Sequence, residues 1–152
     1  MRPRQEFWVK LAASVFFIGY CPFGSGTLGS VAGLLLFLLV QGYFWLQFAL
    51  VIGLLCLGIW LCTLAEGVFK EKDSHKIVLD EVVGILITLL GVPILGWPVL
   101  LMGFFLNRMF DIYKPFGIRK LENIPGGWGV MLDDVGAGLY SNLALRVILA
   151  IF

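Results

Sequence analysis

Long apolar runs separated by short polar clusters set the pattern of this chain, and their spacing predicts helices. Between Lys10 and Glu66 there is no Asp, Glu, Lys, Arg or His. A bilayer span needs about 20 apolar residues as a helix, so this gap holds two spans with some structure before them. Phe7–Tyr20 is predicted as a first helical segment, too short and too polar at its start to span, and therefore interfacial or re-entrant. Cys21–Ser30 (CPFGSGTLGS) carries Pro22, Gly24, Gly26 and Gly29 and is predicted as a loop. Helices follow over about Leu28–Val40 and Leu46–Ala65, joined by a turn at Gln41–Gly42. Glu66–Lys76 reads as a charged loop.

The second half repeats the pattern. A helix is predicted from Asp80 to about Val92. A turn across Pro93–Pro98 follows, because both prolines disfavour helical geometry before them. A return helix runs from about Pro98 to Tyr113, then a loop over Phe116–Met131, then a last helix over about Asp133–Phe152. The expected fold is all-α: one domain over residues 1–152, a polytopic helical membrane bundle. It has about five main helices plus the N-terminal interfacial or re-entrant helix.

Composition agrees. The 152 residues are 60% hydrophobic and 14% charged, against about 25% charged in ordinary soluble domains. A net charge of +1 with no basic stripe excludes nucleic acid as a partner. Cys21, Cys56 and Cys62 lack the spacing of a disulfide framework or zinc site, and Cys56 and Cys62, inside an apolar helix, read as small apolar residues. The N-terminus lacks a small-residue cleavage site and does not read as a removed signal peptide. Arg2, Arg4, Lys10, Lys70, Lys72, Lys76, Lys114, Arg119 and Lys120 can all fall on one side. The two turns opposite carry no positive charge, so the charged side is expected to be cytoplasmic.

The candidate chemistry gathers on that side. Asp80, Glu81, Asp111, Asp133 and Asp134 each stand beside strongly apolar sequence. Ionised groups there are costly unless they face a cavity, pair or bind an ion. The adjacent acids of IVLDEVVG and VMLDDVGAG repel each other, and a hard divalent cation such as Mg²⁺, with oxygen ligands, would relieve this. Helix capping explains Asp80 or Asp133 singly, but explains doubled acids poorly. Asn107, Arg108, Asp111 and Lys114 are spaced to share a helix face. They form either a surface ion ladder or a phosphate clamp of Arg108 and Lys114 beside a metal-binding Asp111. Gly24, Ser25, Gly26 and Thr27 offer backbone N–H groups just before a helix, a ready anion site. His75 reads as solvated surface, Arg146 as snorkelling or facing the bundle, and Glu66 with Lys70 as a structural pair. Trp128 reads as an interface anchor or a lipid contact.

The motifs GSGTLGS, DSHKIVLDEVVG, NRMFDIYKPFGIRKLE and GGWGVMLDDVGAG, in that order, resemble bacterial phosphatidylglycerophosphatase A over about Gly19 to Leu139. The resemblance implies a Mg²⁺-dependent membrane phosphatase of the bacterial inner membrane, with its site on the cytoplasmic face. Such an enzyme converts phosphatidylglycerophosphate to phosphatidylglycerol. The family's acids carry over as Asp80, Glu81, Asp111, Asp133 and Asp134, and its basic residues as Arg108 and Lys114. One departure stands out: the family's first motif usually reads Pro-Gly-Thr, and here it is Ser25-Gly26-Thr27. Asp80, Glu81, Asp111 and Asp134 are the expected catalytic acids, with Asp134 or Glu81 orienting or deprotonating the attacking water. A covalent aspartyl-phosphate remains open. The rival from another class is a carboxylate-lined cation transporter or channel subunit.

Overall fold

The computed structural model describes residues 2–93, 96–115 and 117–151. Ile94 and Leu95 of the predicted 93–98 turn, Phe116 at the start of the predicted loop, and the terminal residues Met1 and Phe152 lie outside them. Among the described residues the chain is all-helical: α1 (Pro3–Ala13), α2 (Ser25–Val40), α3 (Phe44–Phe69), α4 (Leu79–Leu89), α5 (Trp97–Tyr113), α6 (Ile118–Leu121) and α7 (Gly127–Ile151), with a 3-10 turn at Ile18–Tyr20. Two helices, α3 with 26 residues and α7 with 25, are long and apolar enough to cross a membrane, and α2 is a shorter apolar helix.

The centre of the molecule is α4. Its residues from Val82 to Leu89 are all buried, because α2, α3, α5 and α7 pack around it. A helix apolar on every side needs partners on every side. At 11 residues it measures only about 16 Å. Small residues let its neighbours approach. A Cβ added at Gly33 on α2 would lie 2.1 Å from Ile85 Cγ2 and 2.8 Å from the Val82 carbonyl oxygen, and one at Gly138 on α7 would lie 2.6 Å from the Gly84 carbonyl oxygen.

Several boundaries depart from the sequence expectation. The predicted helix Phe7–Tyr20 ends at Ala13, and the backbone of Val15, Phe16 and Phe17 turns left-handed. A tertiary contact ends it: the Ala13 carbonyl accepts a hydrogen bond from the Val78 N–H. The predicted loop Cys21–Ser30 is loop only to Gly24, whose φ of 64° suits glycine, and α2 starts at Ser25. The predicted loop Glu66–Lys76 begins later, since α3 continues to Phe69. The last helix begins at Gly127 rather than Asp133. Gly127 and Gly129 read as loop residues, yet they are helical, and close packing on backbone requires glycine there: a Cβ on Gly127 would lie 2.0 Å from the Ile59 carbonyl oxygen.

The helices place their ends in two groups. At one end, Asn142 Nδ2 donates to the carbonyls of Ile87 (3.0 Å), Thr88 (2.9 Å) and Leu90 (3.0 Å). Beside it Arg146 Nη2 donates to the Leu90 and Gly91 carbonyls, both at 2.9 Å. Gln47 joins the Val40 carbonyl to the Gly91 N–H. These side chains satisfy the carbonyls that a helix C-terminus leaves unpaired, and Arg146 thus faces the bundle. Asn142→Leu is expected to lower stability by about 1–3 kcal/mol, the range for orphaning buried polar groups. Thermal unfolding of detergent-solubilised protein measures it. The other end holds the acids.

Candidate active site

Five chain segments converge at that second end: the first turn of α2, the loop after α3, the first turn of α4, the last turn of α5, and the second turn of α7. Successive residues on a helix point about 100° apart, so Asp133 and Asp134 diverge from adjacent positions on α7. Asp133 faces α5, where its Oδ2 accepts from Lys114 Nζ at 2.5 Å. Asp134 faces α4 at Gly84, where a Cβ would lie 3.2 Å from Asp134 Oδ1. Asp111, from the last turn of α5, completes a group with them: one carboxylate oxygen from each lies within 4.8 Å of the others. Asp133 and Asp134 are buried and Asp111 partly so.

Three buried carboxylate oxygens in this region have no hydrogen-bond partner among the described residues: Glu81 Oε2, Asp133 Oδ1 and Asp134 Oδ1. Unpaired buried anionic oxygens are costly, and a divalent ion with oxygen ligands satisfies such a set. The donor set of Asp111, Asp133 and Asp134 therefore fits a metal. Asp80 and Glu81 stand outside that trio. Asp80 is buried, and its Oδ1 accepts the Glu81 backbone N–H at 3.0 Å, a local turn contact. Glu81 reaches α2 instead, since a Cβ on Gly26 would meet Glu81 Oε1 at 2.3 Å.

Both nearby cations pair with members of the trio. Arg108 Nη1 lies 3.0 Å from Asp111 Oδ2, in an ion pair whose geometry falls short of a hydrogen bond. The same guanidinium lies against the first turn of α2, both terminal nitrogens 3.3 Å from a Gly26 Cβ position. Lys114 is held between Asp133 and Glu122. Burial works against the charge of the Lys114 ammonium, but its hydrogen bonds to Asp133 and Glu122 outweigh that and hold its pKa above lysine's ordinary value.

The structure thus brings Gly26, Glu81, Arg108, Asp111, Asp133, Asp134 and Lys114 together, and gives other partners to some expected residues. The Ser25 hydroxyl donates to the His75 carbonyl at 2.9 Å. Gly24 supplies the N-cap without a side-chain bond, and Thr27 is exposed. Glu66 Oε1 accepts the Asp73 N–H at 3.2 Å. Trp128 is exposed, 53% accessible. Two acids within the quoted motifs are not singled out by the sequence pattern. Glu122 shares Lys114 with Asp133, and Asp73 stands on the rim within electrostatic reach of Lys114 and Asp111. Neither sits next to an apolar run, which is the signal that marked the other acids. Buried Asn107 was read only as part of a face; its Oδ1 accepts from Thr88 Oγ1 at 2.9 Å.

An all-helical chain that packs a trio of acids able to hold a metal beside an arginine and a helix N-terminus has the makings of a phosphate-ester hydrolase. The family model described as Phosphatidylglycerophosphatase A matches residues 11–149. The chain belongs to that family, and is a phosphoric monoester hydrolase. It is 40% identical to a Bacteroides thetaiotaomicron protein named "Putative phosphatidylinositol-3-phosphatase", over 95% of each chain. It is 36% identical to Phosphatidylglycerophosphatase A of Escherichia coli, covering 88% of this chain and 78% of that protein. It is 38% identical to Phosphatidylglycerophosphatase A of Haemophilus influenzae, covering 92% and 88%. No solved structure matches the chain.

Proposed function

We propose that this protein is a Mg²⁺-dependent, multi-pass phosphatase of the bacterial inner membrane. It removes the terminal phosphate of phosphatidylglycerophosphate at the cytoplasmic face. The observation that carries the reading is the convergence of Asp111, Asp133 and Asp134, with unpartnered oxygens, beside Arg108 and the start of α2. Family membership and the names of the E. coli and H. influenzae relatives support the substrate. Exposed apolar side chains along α2, α5 and α7, such as Leu39, Phe105 and Leu143, support lipid around the bundle. Tyr43, Trp45 and Trp97 are exposed at the end opposite the acids, as aromatic residues at a membrane interface are. The acids gather at one end of the bundle rather than along a path through it, which favours a phosphatase over a cation pathway.

Mg²⁺ on the acid trio would neutralise charge developing on the phosphate oxygens and make a bound water more acidic. The chain's own groups do the rest. The Arg108 guanidinium and the N–H groups of Ser25, Gly26 and Thr27, which have no partner within their own helix, bind phosphate oxygens. Glu81, with Oε2 unpartnered, takes the proton of the attacking water. The bond from phosphorus to the glycerol oxygen breaks, that oxygen takes up the proton held by Glu81, and inorganic phosphate remains. Because Lys114 is engaged by two carboxylates, its part is to hold acids rather than to meet the substrate.

Purified protein in mixed micelles is expected to release phosphate from phosphatidylglycerophosphate only with Mg²⁺, and to stop on chelation. Phosphatidylinositol 3-phosphate is the comparison substrate, given the name of the B. thetaiotaomicron relative. No release from phosphatidylglycerophosphate, or release indifferent to chelation, would overturn the reading.

A further inference from the structure

We propose that Glu122 is a positioning residue that draws the Lys114 ammonium away from Asp133 and so leaves Asp133 able to take a metal ion. The inference rests on the metal reading of the acid trio given above. Lys114 Nζ donates to both Asp133 Oδ2 and Glu122 Oε1. An ammonium and a metal ion compete for the same carboxylate, since each neutralises it and they repel one another.

The geometry gives the two acids different roles. Asp133 is nearly sealed, its side chain 5% accessible, whereas Glu122 is 39% accessible. Asp133 Oδ1 is buried and unpartnered, so Asp133 has an oxygen still to satisfy beside Asp111 and Asp134. Lys114 starts from a fixed point: it caps α5 with a left-handed φ of 45°, and its N–H bonds to the Phe110 carbonyl at 2.8 Å. Its flexible four-carbon stem lets the ammonium swing from one carboxylate to another within reach. Glu122 follows directly after α6, and Lys72 Nζ donates to its backbone carbonyl at 2.7 Å. That bond ties the α6 segment to the loop after α3. Glu122 thus offers Lys114 a second carboxylate in place, outside the trio, when the metal claims Asp133.

The test compares wild type, Glu122→Gln, Glu122→Asp, Lys114→Met and the Glu122→Gln/Lys114→Met pair, each purified in detergent and checked for monodisperse elution. Mn²⁺ binding by electron paramagnetic resonance is measured beside kcat and KM at saturating Mg²⁺. Glu122→Gln should weaken Mn²⁺ binding about 10-fold or more, the usual effect of removing a group behind a metal ligand. KM for the lipid should stay put, and Glu122→Asp should recover part of the loss. With Lys114→Met present, Glu122→Gln should shift binding less than about twofold, the remnant of a screened, half-exposed charge. Equal Mn²⁺ binding by wild type and Glu122→Gln overturns the proposal, as does an undiminished effect in the Lys114→Met background. If Glu122→Gln does not fold, Glu122→Ala decides: wild-type binding overturns the proposal, and weakened binding that returns to the single-variant level in the Lys114→Met background supports it. Wild-type protein that binds no Mn²⁺ defeats the metal reading itself, and this inference with it.

Discussion

Asp134→Asn is expected to lower phosphate release by about 100-fold or more while leaving the fold intact. The two side chains have nearly the same shape, so the packing over Gly84 survives. What disappears is one negative charge from a crowd in which Asp134 Oδ1 is buried and unpartnered. Losing it relieves repulsion among Asp111, Asp133 and Asp134, so the unfolding midpoint should hold or rise as activity falls. That opposition is the mark of a site whose charges serve chemistry at the expense of stability. The size of the loss follows the range for removing a group that acts in the transition state. Phosphate release and thermal unfolding, measured on the same preparation, decide it. An Asn variant within 10-fold of wild type would remove Asp134 from the active centre.

The second large effect separates two glycines on the same face of α2. Gly33→Ala is expected to destabilise the protein by about 1–3 kcal/mol, the range for overpacking a tight core. Its Cβ would meet the Val82 carbonyl oxygen at 2.8 Å and the Val82 Cα at 3.0 Å, backbone that cannot step aside. Gly26→Ala meets something softer: Glu81 Oε1 at 2.3 Å and the Arg108 guanidinium at 3.3 Å, the far ends of flexible side chains. The fold accommodates that methyl group by moving Glu81 and Arg108, so Gly26→Ala should keep its unfolding midpoint and lose activity. Melting curves that ranked the two variants the other way would contradict this packing of α2 on α4.

How far the sequence foretells this structure can be traced residue by residue. The long apolar helices α3 and α7 follow from hydrophobic run length, and the doubled acids from their cost beside such runs. The starts of α4 and α5 follow to within a residue, whereas those of α2 and α7 do not. Glycines that read as loop, Gly26 and Gly127 among them, lie inside helices: Gly127 presses on the Ile59 carbonyl, where a Cβ has no room, and Gly26 faces the movable ends of Glu81 and Arg108. Packing there overrides intrinsic propensity. The shift has chemical consequences: Asp133 and Asp134 fall inside a helix, pointing to different neighbours, instead of capping its start. The division of the five acids into a trio and a separate Asp80–Glu81 pair depends on how α4, α5 and α7 rotate against each other. No local pattern encodes that, and the Lys114–Glu122 contact across the α6 segment is equally invisible.

The shortness of α4 bears on how this protein meets its lipid. Its 11 residues cover about half of a hydrocarbon core about 30 Å thick, and Gln47, Asn142 and Arg146 close its far end. In the proposed orientation the acids serve one side only, and we place them at the level of the headgroups. Lifting a lipid clear of its leaflet would expose its chains at about 0.8 kcal/mol for each CH₂, and a centre at that depth requires no lifting. Substrate arrives and product departs by diffusion within the plane of the leaflet. The concentration that governs turnover is then the mole fraction of substrate among its neighbouring lipids, and diluting the micelle with inert detergent should slow the enzyme as surely as withholding substrate.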